Sequence, residues 1–198
     1  MKNSFKLVLI FSFFIVANAC NQVSETKEAN HEKDSTGKHQ CSKDMDAATQ
    51  EKNRSSSIHV SGEVINLLIL NIDSIKAMPA VEVKNYQVVC QSGTSMGEAK
   101  NCKGVLLKSI LEKAVIKQAH HKDRNFYIVA RATDNYMATF SWGEIFNNET
   151  GNHTYVLFEE NGKPIIEKGA FVLVCTNDIK SGPRHVYWLN SIEVNRVK

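Results

Sequence analysis

Hydrophobic and polar positions divide the chain into three unequal parts. Residues 1–19 are almost purely apolar after Lys2 and Lys6, residues 21–57 are almost purely polar, and nearly all the material for a core lies in residues 58–198. Within that last part, residues 58–70 alternate at first (Ile58, Val60) and then run apolar to Leu70, which predicts one or two strands. Residues 71–79 read as a short helix capped by Asn71 and stopped at Pro79. Residues 81–89 alternate Val, Glu, Val, Lys and then turn apolar, a strand that ends at Cys90. A loop bearing Gly, Ser and Asn is expected over 91–103. The clearest helix is expected over 104–117, where Leu106, Leu107, Ile110, Leu111 and Ala114 recur at helical spacing with Lys108, Glu112 and Lys113 opposite.

Further along, residues 126–132 and 136–140 flank the turn Thr133-Asp134-Asn135 and read as a hairpin, and Ser141 can cap a short helix carrying Trp142, Ile145 and Phe146. Residues 154–160 and 164–166 flank Asn161-Gly162, the strongest hairpin dipeptide. Residues 171–175 have the composition of a buried strand, and residues 188–197 close the chain with alternating Leu189, Ser191, Ile192 and Val194. Strands dominate and helices are short, so the expected class is α+β with a mixed β-sheet. A domain spanning 58–198 is long enough to bury roughly two-thirds of its unfolded surface.

The N-terminal parts carry their own message. A positive start, the apolar run Leu7–Val16 and the small residues Ala17-Asn18-Ala19 form the pattern of a secretory signal peptide over 1–19. The run is too short to span a bilayer comfortably, which takes about 20 apolar residues. Ala17-Asn18-Ala19-Cys20 resembles the lipobox of bacterial lipoproteins, although Leu is usual where Ala17 stands. That resemblance implies a lipid on the Cys20 thiol, a membrane as the first partner, and a cell-envelope protein facing the periplasm. Ordinary cleavage after Ala19, with Cys20 left as a free thiol, is the alternative. Residues 20–57 lack apolar periodicity and read as a disordered polar tether, with His31, His39 and Cys41 as ordinary tail residues.

Composition narrows the chemistry. The 198 residues carry a net charge of +3 without a clustered basic stripe, so nucleic-acid binding has no support. The chain has five cysteines and no Cys-x-x-Cys pair, which disfavours thioredoxin-like exchange, a c-type haem and a zinc knuckle. Neither a Gly-x-Ser-x-Gly elbow nor a Gly-rich phosphate loop is present. His120-His121 lie among charged residues and read as exposed loop.

Four stretches, in order, carry a resemblance to a family. Residues 71–83 (NIDSIKAMPAVEV) look like a strand–helix opening. Val89-Cys90-Gln91-Ser92-Gly93-Thr94-Ser95 leads to Lys103-Gly104-Val105-Leu106-Leu107. Ala132-Thr133-Asp134-Asn135-Tyr136 opens a hairpin, and Gly182-Pro183-Arg184-His185-Val186-Tyr187-Trp188-Leu189 leads into the last strand. Together they resemble the oxidoreductase molybdopterin-binding domain, the sulfite-oxidase-like fold. The resemblance implies a molybdopterin cofactor, a redox partner, and Cys90 as the thiolate ligand to molybdenum and so the catalytic position. It implies a phosphate-facing role for Arg184, with Lys180, Ser181 and His185 beside it. This chain departs from the pattern at Thr94 and at Asn101 or Cys102, where tryptophans are usual, and at Tyr187, where lysine is usual.

The cysteines leave alternatives open. In an oxidising compartment Cys90 and Cys102 could close a disulfide, which would take the ligand role from Cys90. Cys175 reads as a core thiol, with a bond to Cys90 or Cys102 also open. Two functions therefore stand side by side: a molybdopterin-dependent oxidoreductase, or a cofactor-free binding or accessory module that keeps the fold. A structural envelope lipoprotein is the third.

Overall fold

The computed structural model describes residues 46–198. The expected leader, the expected lipid on Cys20, and the histidines and Cys41 of the polar stretch lie outside the described residues. Part of the stretch expected to be tether is helical: α1 (Ala47–Asn53) is capped by the Asp46 side chain, which accepts from the Thr49 N–H at 2.8 Å. Ser55 then donates to the Leu189 carbonyl at 2.8 Å from a buried position, fixing this segment to the last strand.

The elements that follow are β1 (Ser57–Gly62), β2 (Leu68–Asn71), α2 (Ile72–Lys76), β3 (Ala80–Val89), β4 (Ser95–Leu106) and α3 (Leu107–Ala114). Then come β5 (Phe126–Ala132), β6 (Met137–Ser141), α4 (Trp142–Phe146), β7 (Thr154–Glu160), β8 (Lys163–Pro164), β9 (Val172–Cys175) and β10 (Leu189–Arg196). They form two sheets rather than the single mixed sheet expected. The first runs β2-β1-β10-β5-β6 and is mixed, because β1 and β10 pair in parallel. The second runs β3-β4-β7-β8, with β9 also paired to β7, and all its pairings are antiparallel.

Burial explains the layering. Ile58, Val60, Ile128, Ala130, Ile192 and Val194 alternate with outward residues on the first sheet and pack on the main core, together with Leu107, Ile110 and Leu111 of α3. Strands β7 and β9 are buried on both faces. Val156, Phe158 and Leu173 enter the main core, while Tyr155, Leu157, Val172 and Val174 join a second cluster with Val83, Tyr86 and Ile165. The second sheet is thus a middle layer, and its far face carries the site described below.

Two expectations change. The stretch 91–103 is mostly strand: β4 pairs with β3 on one side and β7 on the other, and only residues 90–94 turn. Most of its N-terminal half is exposed, so the hydrophobic alternation that marks a strand is missing. The helix expected over 104–117 is shorter, Leu107–Ala114, because Gly104–Leu106 continue β4. The capped helices at Asn71 and Ser141 and the 126–140 hairpin form where the sequence places them.

Candidate functional site

The site grows from the end of the β3–β4 hairpin. Cys90 closes β3, its N–H donating to the Thr94 carbonyl at 2.9 Å while Gly93 N–H donates to the Cys90 carbonyl at 2.8 Å. Gly93 turns there at φ +88°, a conformation glycine adopts without steric cost. Register shifts on either side of Tyr86, with Asn85 at φ 53°, interrupt the even pairing of β3 and set Tyr86 opposite Lys100.

A second segment, residues 181–188, is fastened against that hairpin. Val89 N–H donates to the Ser181 hydroxyl at 3.1 Å, and Gly182 approaches so closely that a side-chain carbon there would meet the Val89 carbonyl at 3.0 Å. Val186 bonds both ways to Leu173 of β9, at 2.9 and 3.0 Å. Its neighbours His185 and Tyr187 line a cavity of about 500 Å³, with Tyr86, Val88, Cys90 and Met96 of the hairpin. A third segment brings Lys168, whose backbone carbonyl accepts from Trp188 N–H at 2.7 Å; Gly169 beside it leaves room for the Trp188 ring. An adjoining, more apolar cavity of about 620 Å³ shares Val88, Met96, His185 and Tyr187.

Two features give the cavity its character. Glu160 sits between two ammonium groups, accepting from Lys100 at 2.8 Å and from Lys168 at 2.8 and 3.0 Å. Burial works to raise the Glu160 pKa, and the two lysines outweigh it, so it stays below the ordinary range. The Lys168 pKa is lowered as well, chiefly by its own burial. The second feature is unpartnered polarity. Among the described residues both ring nitrogens of His185 are buried and lack a hydrogen-bond partner, as do Trp188 Nε1 and Asn190 Oδ1, while the buried Tyr86 hydroxyl has Ser181 beside it. Burial, with the like charge of Lys168 added, pushes the His185 pKa down to about 3, so the imidazole is neutral.

The residues named from the sequence separate into three groups. Cys90 and His185 line the cavity, and Ser181 braces its wall. Arg184 lies elsewhere. Its guanidinium donates to Asp178 through Nε at 2.8 Å and also through Nη2, reaches Glu144 through Nη1 at 2.9 Å, and stacks over Phe140 at 4.5 Å. Lys180 is exposed and lines neither cavity. Cys90 is disulfide-bonded, whereas Cys102 and Cys175 are free and buried. The Cys90–Cys102 bond and any bond to Cys175 are therefore corrected, and the partner of Cys90 lies outside the described residues. Burial pushes the Cys102 thiol up to about 11, and Cys175 donates to Asn177 at 3.1 Å as a core thiol. The sequence reading did not single out Tyr86, Lys100, Glu160, Lys168 or Tyr187 as site residues.

The chain matches no protein-family model and no curated protein. Among solved structures it is similar to the sulfane dehydrogenase SoxCD from Paracoccus pantotrophus. The TM-score is 0.53 and the identity 16%, over 72% of this chain and 38% of that one. The likeness is one of fold. It supports a distant relation of scaffold, and the chain spans well under half the length of the protein it resembles.

The donor set of the cavity does not fit a molybdopterin. A molybdenum ligand must be a thiolate, and the Cys90 sulfur is held in a disulfide. A pterin phosphate needs several cations or N–H donors, yet Arg184 is tied to Asp178 and Glu144 away from the cavity, and the two cavity lysines share Glu160, which leaves a single positive charge there. No cluster of His, Cys, Asp and Glu able to hold a metal occurs among the described residues.

Proposed function

We propose that this chain is a cell-envelope lipoprotein, anchored through lipid on Cys20 and facing the periplasm, whose sulfite-oxidase-like domain serves as a binding module without a molybdopterin. The observation that carries this reading is the state of the cavity: the sulfur at the metal-ligand position is oxidised, Arg184 is tied to carboxylates away from it, and the two lysines sharing Glu160 leave a single positive charge. What remains there is a recognition surface of rings, a salt-bridged triad and a neutral imidazole. Such a site can bind and orient a small molecule.

The test is molybdenum analysis of the protein taken from its own envelope, joined to cysteine mapping. Molybdenum is expected well below one atom per chain, and alkylation in denaturant without reductant is expected to label Cys102 and Cys175 but not Cys90. Stoichiometric molybdenum that disappears in Cys90→Ser would overturn the reading. It would establish the second one, a molybdopterin-dependent oxidoreductase with a redox partner, which the likeness of fold and the place of Cys90 at the cavity favour.

A further inference from the structure

Among the described residues, four buried side-chain atoms without a partner belong to His185, Trp188 and Asn190, and the first two of these residues line the paired cavities. Leaving one buried polar group unsatisfied costs about 1–3 kcal/mol, and native structures carry few of them. Their concentration around one cavity therefore asks for a ligand. His185 is suited to meet it, because rotation about its terminal side-chain torsion is soft and would turn a ring nitrogen from beneath the wall into the cavity. A neutral imidazole offers one N–H and one bare nitrogen, the complement of a hydroxyl that can both accept and donate.

The opposite end is charged. Lys100 and Lys168 share the single carboxylate of Glu160, so the inner set carries one positive charge in excess. Glu98, the remaining charged group at the cavity, is exposed at its rim and screened by solvent. Between the two ends stands Tyr187, its ring 4.5 Å from the His185 ring and 5.6 Å from Lys168 Nζ, with Met96 and Val88 completing an apolar wall. A bare inorganic anion would leave that wall unused. A flat ring would stack on it.

We propose that the cavity is a receptor site for a small aromatic monocarboxylate. Its carboxylate pairs with Lys168 and Lys100, its ring lies on Tyr187 and Met96, and a hydroxyl at its far side meets His185 and Tyr86. A cavity of about 500 Å³ accepts one ligand of that size. The proposal rests on the reading of the domain as a binding module without molybdopterin.

Titration calorimetry with 4-hydroxybenzoate on the full mature protein in detergent tests it, with 4-hydroxybenzamide as the neutral counterpart. One-site binding of the acid is expected, with the amide about tenfold weaker or worse. Lys168→Met should lose about tenfold in affinity for the acid while keeping its affinity for the amide, which also shows that the variant is folded. Lys168→Arg should stay within about threefold of wild type, because the charge is kept. His185→Phe should weaken the hydroxylated acid and leave plain benzoate unchanged. Equal affinity for acid and amide overturns the proposal, as does no saturation by 4-hydroxybenzoate or benzoate up to about 10 mM. Molybdenum measured in the same preparation separates the two failures. Metal-free protein that binds neither acid refutes this site alone, and protein loaded with molybdenum refutes the underlying reading as well.

Discussion

His185 shows how one side chain turns environment into a measurable pH dependence. Its burial, with Lys168 nearby, lowers the pKa from 6.5 to about 3 in the folded chain. Between those values the unfolded chain binds the proton and the folded chain does not, so stability falls as pH drops below about 6.5. The slope approaches about 1.4 kcal/mol per pH unit for one such group. Glu144 and Glu160, both lowered, are stabilising above the carboxylate range and lose that effect only as the pH falls through it. Urea midpoints between about pH 5 and pH 6.5 therefore isolate the histidine, and His185→Phe should show a flatter profile than wild type there. An equal slope in both proteins would mean that His185 is already solvated. Cys90 and His185, each named from a local motif, both line the cavity. Glu160, Lys100 and Lys168 were not legible, since their juxtaposition arises from β4, β7 and a following loop meeting in space. Arg184 was legible as a conserved-type basic position of the motif, but its function in the fold depends on Asp178 and Glu144, and the second lies 40 residues away.

At the scale of elements, β4 is where sequence and structure part most clearly. Alternation fails as a signal when a strand's outer half faces solvent, and helical spacing over residues 106–114 masked the strand that leads into α3. Gly104 was readable as a helix start, yet it is where two backbones press together. A side-chain carbon at Gly104 would stand 2.5 Å from the Val156 carbonyl oxygen and 2.9 Å from Leu157 Cα, at the register shift between β4 and β7. Those atoms belong to the buried middle of the second sheet and have nowhere to move. Gly104→Ala should cost about 1–3 kcal/mol through overpacking, read as a lowered denaturation midpoint with an unchanged slope. Gly97 lies on the same strand with open space around it but at φ +61°, so Gly97→Ala tests backbone conformation rather than contact. A loss at Gly104 no larger than that at Gly97 would show that the β4–β7 contact is looser than described. The caps at Asn71 and Ser141 were legible because a cap is a matter of three or four adjacent residues, the range over which sequence speaks most directly.

For the whole molecule, the proposed lipid on Cys20 is what the next experiment must test. Among the described residues no helix is long and apolar enough to cross a bilayer. Twenty-five residues lie between Cys20 and Asp46, a contour of at most about 90 Å if fully extended. Stable anchoring takes more than one acyl chain, a requirement that a lipid-bearing N-terminal cysteine meets and a free thiol does not. Cys20→Ala should therefore move the protein from the membrane fraction to the soluble one, and from the detergent-rich to the aqueous phase on cloud-point separation. In the same variant Cys90 should stay blocked to alkylation in denaturant without reductant, because a lipid-bearing Cys20 cannot also be its disulfide partner. Retention of Cys20→Ala in washed membranes would refute lipidation and return attention to the domain itself. There the exposed side chains of Ile65, Leu67 and Ile69, at the β2 edge of the first sheet, are the apolar surface to replace next.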